Sequence, residues 1–225
     1  MWQLEQASAS LSHNSLQCLL NLESPAAGLQ EVIAHQAVIA NDSYARLDLG
    51  LTTESITEAY QRGADLIATY AATQDRPATP QLYWRVQQVE HAVGIETIIS
   101  LQTDQLDSRC PIRSSGSTSN RVLLQNDQRK WIPPEDGASA TALLVEVAPG
   151  LSYLEIVHPT DLMASSIQLN DGQTHWQHTV LDLQLEKGVI RRARLQSWWI
   201  QYDNAQAIAA DIIQQFVDSA PPLTT

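Results

Sequence analysis

Arg191 stands as the single charge on an otherwise apolar face in residues 180–200, VLDLQLEKGVIRRARLQSWWI, a stretch that also holds the densest positive charge of the chain. The stretch reads as two β-strands folded on a glycine turn. A three-residue loop of Glu186, Lys187 and Gly188, with Gly188 in the left-handed position, sets Leu185 opposite Val189, Leu181 opposite Ala193 and Asp182 opposite Arg192. A two-residue loop of Lys187 and Gly188 would set Leu183 against Arg192 and Leu181 against Arg194. Because a slip of one residue swaps the faces, the register that pairs opposite charges is preferred. Leu181, Leu183, Leu185, Val189, Ala193, Leu195 and Trp199 then share their face with Arg191. A guanidinium cannot shed its proton, so Arg191 needs a carboxylate, backbone carbonyls or an open pocket. It is either a structural ion pair at the sheet margin or an anchor for a ligand, whereas Arg192 and Arg194 point away and read as a solvated face.

Tryptophan is the second unusual feature, with six against a single Phe. Trp84 beside Arg85, Trp131, Trp176 between His175 and His178, and the pair Trp198 and Trp199 all neighbour polar residues. An indole packs on the C–H face of a sugar ring, and Arg, Asp, Glu or His nearby can hydrogen-bond its hydroxyls. Core filling is the competing role. Trp198 and Trp199 must face opposite sides of a strand, so at least one is half-exposed or lies under a loop. His175 and His178, three apart on an extended strand, also face opposite ways and would not chelate one metal, so no metal site is expected.

Composition sets bounds on these readings. A chain of 225 residues, 44% hydrophobic and 17% charged, can bury one sizeable core, and a single domain over residues 1–225 is expected. A net charge of -12 opposes binding to nucleic acid or to an anionic membrane surface. The N-terminus has no basic start followed by an apolar run, which leads to an expected cytoplasmic location. Cys18 and Cys110 form no CxxC motif; a disulfide between them is one reading, and two buried or idle thiols, favoured in a reducing compartment, the other. The GxxxxGK, GxGxxG, GxSxG and HExxH signatures are all missing, so no cofactor is expected.

The elements that must position these residues are nearly all strands. Residues 2–24 read as two strands about the turn His13, Asn14 and Ser15, and residues 29–39 and 44–49 as two more, joined through Asn41, Asp42 and Ser43. Residues 55–70 form a hairpin at Gly63 that resembles the one at Gly188, which raises the question of a duplicated unit. Strands follow at 81–89 and 95–101. The polar, Ser-rich residues 104–120 read as a long loop with at most one short element. Residues 121–125 are a short strand, 131–139 an irregular connection, and 142–157 two strands in the middle of a covered sheet, interrupted by Glu146 and Glu155. Glu155 shares a side with Tyr153, so a plain hydrogen bond between them competes with any catalytic role. After an ambiguous run, Asp171 and Gly172 make a turn and 173–185 returns to strand. Residues 205–218 are the one helix, with Ile208, Ile212, Ile213 and Phe216 as its apolar stripe and Pro221 and Pro222 ending it.

These features define an all-β antiparallel β-sandwich with a C-terminal helix. Many antiparallel strands, scattered Trp, an acidic chain and the strand-turn-strand LEKGVIRRARL together resemble the galactose mutarotase-like β-supersandwich group, whose members bind or isomerise sugars. The resemblance covers the second half of the chain. It implies that Arg191 holds sugar oxygens while His158 and Glu155 or Glu146 move protons, the group's epimerases using a histidine acid and a glutamate base. The leading expectation is a saccharide-recognising protein using Arg191, Trp84, Arg85, Trp176 and Trp199. A sugar epimerase and a non-catalytic scaffold or homo-oligomer subunit are the alternatives.

Overall fold

The computed structural model describes residues 1–40 and 42–220. Asn41 of the expected turn, and Pro221 and Pro222 expected to end the helix, lie outside the described residues. The chain begins with β1 (Trp2–Glu5), β2 (Ser8–His13), β3 (Leu16–Asn21), β4 (Leu29–Ala34), β5 (Ala37–Val38) and β6 (Ser43–Asp48). It continues with β7 (Ile56–Arg62), β8 (Asp65–Tyr70), β9 (Thr79–Val89), β10 (Ala92–Gln102), β11 (Ser108–Arg109), β12 (Ile112–Thr118), β13 (Val122–Gln125) and β14 (Trp131–Ile132). The last part holds β15 (Ala142–Ala148), β16 (Leu151–Val157), β17 (Ala164–Asn170), β18 (Gln173–Leu181), β19 (Gln184–Leu185), β20 (Arg191–Gln201) and α1 (Ala205–Val217).

Two large antiparallel sheets result, as an all-β sandwich requires, with a small two-stranded one of β11 and β19 beside them. The first runs β1-β2-β3-β4-β6-β12-β18-β17, with β5 beside β4, and the second runs β14-β13-β15-β16-β20-β10-β9-β8-β7. Side chains from the inner faces of both sheets meet in one core that includes Trp2, Tyr44, Trp84, Tyr153, Trp176, Leu195 and Trp199. A second apolar layer, with Leu154, Ile156, Trp198 and Ile200, lies between the outer face of the second sheet and Ile212 and Phe216 of α1. The helix therefore packs where its stripe predicts.

The expected hairpin at Gly188 is not formed. Gly188 does take a left-handed conformation, with φ of 78°, but β18 and β20 belong to different sheets and the turn carries the chain between them. Leu181 pairs with Ile112 and Ala193 with Ile99, while Asp182 binds Arg109 through two contacts of 2.6 Å. The reason lies in the two faces of β20. Leu195 and Trp199 enter the core, and Trp198 and Ile200 enter the helix layer, so the strand needs neighbours on both edges and cover on both faces. A local hairpin with β18, whose Gln173 and Gln177 are exposed, would not supply that. The hairpin at Gly63 is real, with Arg62 opposite Asp65, so the two turns do not mark a repeated unit.

Residues 112–118 correct a second expectation. IRSSGST is no loop but a central strand, buried at every other position. Small residues occupy its inner face because Trp176 of β18 lies across it: a Cβ on Gly116 would run into the indole. Serine and glycine thus signal close packing here rather than a turn. The first segment also forms three strands instead of two, the extra turn falling at Gln6 with φ of 55°.

Gly116→Ala should lower stability by about 1–3 kcal/mol through overpacking. That is a fall of several degrees in melting temperature by circular dichroism, at roughly 2–4 °C per kcal/mol for a chain this long. Ser115→Ala, on the other side of the same strand, should change it little; equal melting temperatures for all three proteins would refute this packing.

Candidate functional site

The residues singled out in the sequence fall into three places. Glu155, Trp176 and Trp199 come together, but deep between the sheets. The Glu155 carboxylate accepts from Tyr153 Oη at 2.7 Å and from Ser114 Oγ at 3.1 Å, and lies 3.8 Å from His178 Nε2. Both Glu155 and His178 are fully buried. Loss of hydration raises the Glu155 pKa, opposed by the hydroxyls of Tyr153 and Ser114 and by Trp176. The same loss lowers His178 to about 4. The expected Tyr153–Glu155 bond is therefore present, and the cluster is part of the core, as are Trp84 and Trp199.

His158 does not join Glu155. It sits past the end of β16 on the helix side, with Nδ1 2.8 Å from Thr160 Oγ1, Nε2 3.3 Å from the Val217 carbonyl, and its ring edge-on to Phe216. Glu155, beside Tyr153, faces the inter-sheet core instead. Alternation along one strand puts the two groups on opposite faces of the sheet, so they cannot act on one substrate atom. Glu146 is exposed and pairs with Arg121 at 2.8 Å. Arg191 is exposed as well. It keeps the inward parity of β20 but opens that strand opposite Leu101, at the margin of the core. Arg194, expected in solvent, is buried: its backbone N–H donates to Asp161 at 3.0 Å, its guanidinium reaches Ser219 Oγ at 3.2 Å and lies over Phe216. It ties the end of the helix to the sheet.

Arg85 occupies the third place, a cleft of about 350 Å³ between the outer face of the second sheet and the end of α1. Antiparallel register lines up Asp65, Arg85, Glu96 and Gln196 across β8, β9, β10 and β20. Arg85 binds Asp65 with both forks, at 3.0 and 2.9 Å, and lies 3.7 Å from Glu96. The bond to Asp65 is the main cause that raises its pKa. Gln87 Nε2 donates to Glu96 at 3.3 Å. In the next row Gln87, Gly94 and Trp198 are aligned. A Cβ on Gly94 would lie 2.6 Å from the Trp198 ring, so glycine is what lets the indole lie across β10. Trp198 Nε1 donates to Gln196 Oε1 at 2.9 Å.

Glu96, Gln87 and Gln196 were not singled out from the sequence, and Trp198 only as one of a pair with Trp199, yet a signal existed. Gln81, Tyr83, Arg85 and Gln87 alternate with Leu82, Trp84 and Val86, which marks a polar face along β9. The cleft offers a guanidinium, a carboxylate and three side-chain amides, Gln215 included, above an indole. Among its lining residues Glu96 is the one carboxylate and there is no histidine. Such a set can bind hydroxyls from several directions; it does not pair an acid with a base. Elsewhere among the described residues, no three His, Cys, Asp or Glu side chains are grouped to hold a metal ion, and no helix is long and apolar enough to cross a membrane. Cys18 and Cys110 are free and buried thiols, pushed up to about 12 and about 11.

His178 gives the fold a pH dependence of known sign. Its pKa falls from 6.5 to about 4 on folding, so its contribution is complete above 6.5 and is lost as pH falls toward 4, where only the unfolded chain takes up the proton. Urea unfolding at pH 7, 6 and 5 should show His178→Leu relieved of a slope that approaches about 1.4 kcal/mol per pH unit in the parent chain. Parallel pH profiles for the two proteins would contradict the assignment.

No family model matches the chain, and no curated protein matches its sequence. Solved structures do match. A candidate aldose 1-epimerase from Klebsiella pneumoniae aligns with a TM-score of 0.53 at 10% identity, over 93% of this chain and 83% of the other. A galactose mutarotase-like protein from Clostridium acetobutylicum gives 0.52 at 5% identity, over 89% and 98%. An α-N-acetylgalactosaminidase from Bifidobacterium bifidum, in complex with GalNAc, gives 0.54 at 10% identity. It is matched by 94% of this chain, which spans only 38% of that larger enzyme. At such identities the likeness is one of fold, and the fold is that of the galactose mutarotase-like β-sandwich proteins.

Proposed function

We propose that this protein recognises a saccharide in the Arg85 cleft. The observation that carries the reading is the row of Asp65, Arg85, Glu96 and Gln196 across four adjacent strands. A sheet face destined only for core packing would place apolar residues there, as the same face does at Ile67 and Ile98. Instead Glu96, Gln196 and Trp198 are all more than nine-tenths buried, held at the wall of an open cleft by the Trp198–Gln196 and Gln87–Glu96 hydrogen bonds. Bidentate Arg85 and the glutamine amides supply donors, Glu96 supplies an acceptor, and Trp198 supplies an apolar wall, which together suit a ring bearing hydroxyls. The names of the structural neighbours, an aldose 1-epimerase and an N-acetylgalactosaminidase, support a sugar as the ligand class. They are less help with activity, because His158 and Glu155 are separated by the sheet and the cleft lacks a second proton-transferring group. Recognition without turnover is therefore the favoured reading over epimerisation.

Thermal-shift screening against neutral hexoses and N-acetylhexosamines should find a sugar that raises the melting temperature in proportion to the logarithm of its concentration. Arg85→Ala should weaken that sugar by about tenfold or more, the usual cost of a lost charge-assisted hydrogen bond, with the fold intact by circular dichroism. No shift with any sugar, or equal affinity in Arg85→Ala and Gln196→Ala, would overturn the proposal.

A further inference from the structure

The opposite end of α1 borders a larger cavity, about 640 Å³, where the turn between β15 and β16 meets the start of the helix. Asn120, Glu146, Ser152, Tyr202, Asp203 and Gln206 supply its polar wall. Ser152 is the informative residue. It is only 6% exposed, it belongs to the wall of this cavity, and its hydroxyl is not among the sealed, unpartnered side-chain atoms of the described residues, so it meets the cavity rather than the core. Strands under a helix roof usually place an apolar residue at such a position. Its neighbours on the same face of β16, Leu154 and Ile156, follow that rule.

The helix end is open in the same direction. Asn204 makes no side-chain hydrogen bond to cap α1, and the amides of Ala205 and Gln206 begin the helix, where no carbonyl four residues back is available. These amides carry the positive end of the helix dipole. The same cavity wall holds the Asp203 carboxylate and Glu146, one of whose oxygens is engaged by Arg121. Asn120 gives its amide to Asp42 at 2.8 Å, which leaves its carbonyl to accept.

We infer that this cavity is a second binding site, and that its ligand is a small neutral polyhydroxylated molecule. The chemistry narrows the class from both sides. No Lys or Arg lines the cavity, and two carboxylates repel an anion. A cation gains little, because Glu146 is already paired with Arg121 and Asp203 lies just before the positive helix terminus. A neutral polyol suits both, since each hydroxyl can donate to Glu146, Asp203 or Asn120 and accept from Ser152 or a helix amide. The site is independent of the Arg85 cleft: α1, with 13 residues, holds the two apart by about 20 Å.

Isothermal titration of the full chain with myo-inositol, sorbitol and galactose, with glucosamine and glucuronate as charged comparators, tests the assignment. At least one neutral polyol should bind the parent chain and the Arg85→Ala variant alike. Its affinity should fall by about tenfold in Asp203→Asn, an exposed position that leaves packing untouched, and in Ser152→Ala, which keeps the side chain small. Gln206→Trp, which fills the mouth, should abolish it. The inference is overturned if no neutral polyol binds, if only glucosamine or glucuronate binds, or if binding survives Asp203→Asn and Gln206→Trp. It is equally overturned if binding is lost in Arg85→Ala alone, an outcome that belongs to the sheet-face cleft.

Discussion

Strand β20 is buried on both faces over residues 193–200, and that single requirement organises the molecule. It pairs with β10 over ten residue pairs and with β16 over seven, which makes it the central strand of the second sheet. One face closes the inter-sheet core with Leu195 and Trp199, and the other needs a roof, which α1 provides over Trp198 and Ile200. A helix of this length does not cover a nine-stranded sheet. The uncovered part of the outer face runs toward β9 and β8, and there the residues turn polar. The cleft at Arg85 is thus the place where the roof stops, lined on one side by helix and on the other by sheet.

Buried charge inside this fold falls into two kinds, which separates packing from recognition. Arg76 is enclosed with Glu54 and with the carbonyls of Leu49 and Ala71, and Glu155 is enclosed with Tyr153, Ser114 and His178. Both groups are sealed, and truncating one partner would leave an uncompensated group in a poorly polarisable interior. Arg85, by contrast, keeps a side chain 36% exposed while held by two carboxylates. A cation that is positioned but not enclosed is fit to meet a ligand; one that is sealed serves the fold.

Much of the architecture was legible from alternation. The strands around Pro149 and Gly150, the turn at Asp171 and Gly172, the hairpin at Gly63 and the C-terminal helix all follow from short-range pattern and turn chemistry. What pattern did not reveal was partnership. The left-handed glycine at 188 reports a turn but not whether the strands beside it meet, because pairing is decided by which neighbours can cover both faces of β20. The same blindness promoted Arg191, whose parity is inward but whose position lies past the core. It also hid β12, whose serines and Gly116 look like loop until Trp176 is placed over them. The site was half legible: Arg85 stood out beside Trp84, yet Glu96 and Gln196 become its companions only through sheet register. His158 and Glu155, three apart in sequence, looked like partners until alternation set them on opposite sides.

The account rests on the outer face of the second sheet being the surface that meets a sugar. Indole N–H resonances report this directly, since Trp2, Trp84, Trp176 and Trp199 lie in the core and Trp198 in the cleft. In a two-dimensional proton–nitrogen NMR titration with a bound saccharide, with Trp198→Phe used for assignment, the Trp198 signal should move with ligand concentration while those of Trp84, Trp176 and Trp199 stay in place. A saccharide that moves only the core signals, or that binds and leaves Trp198 unmoved, would contradict it.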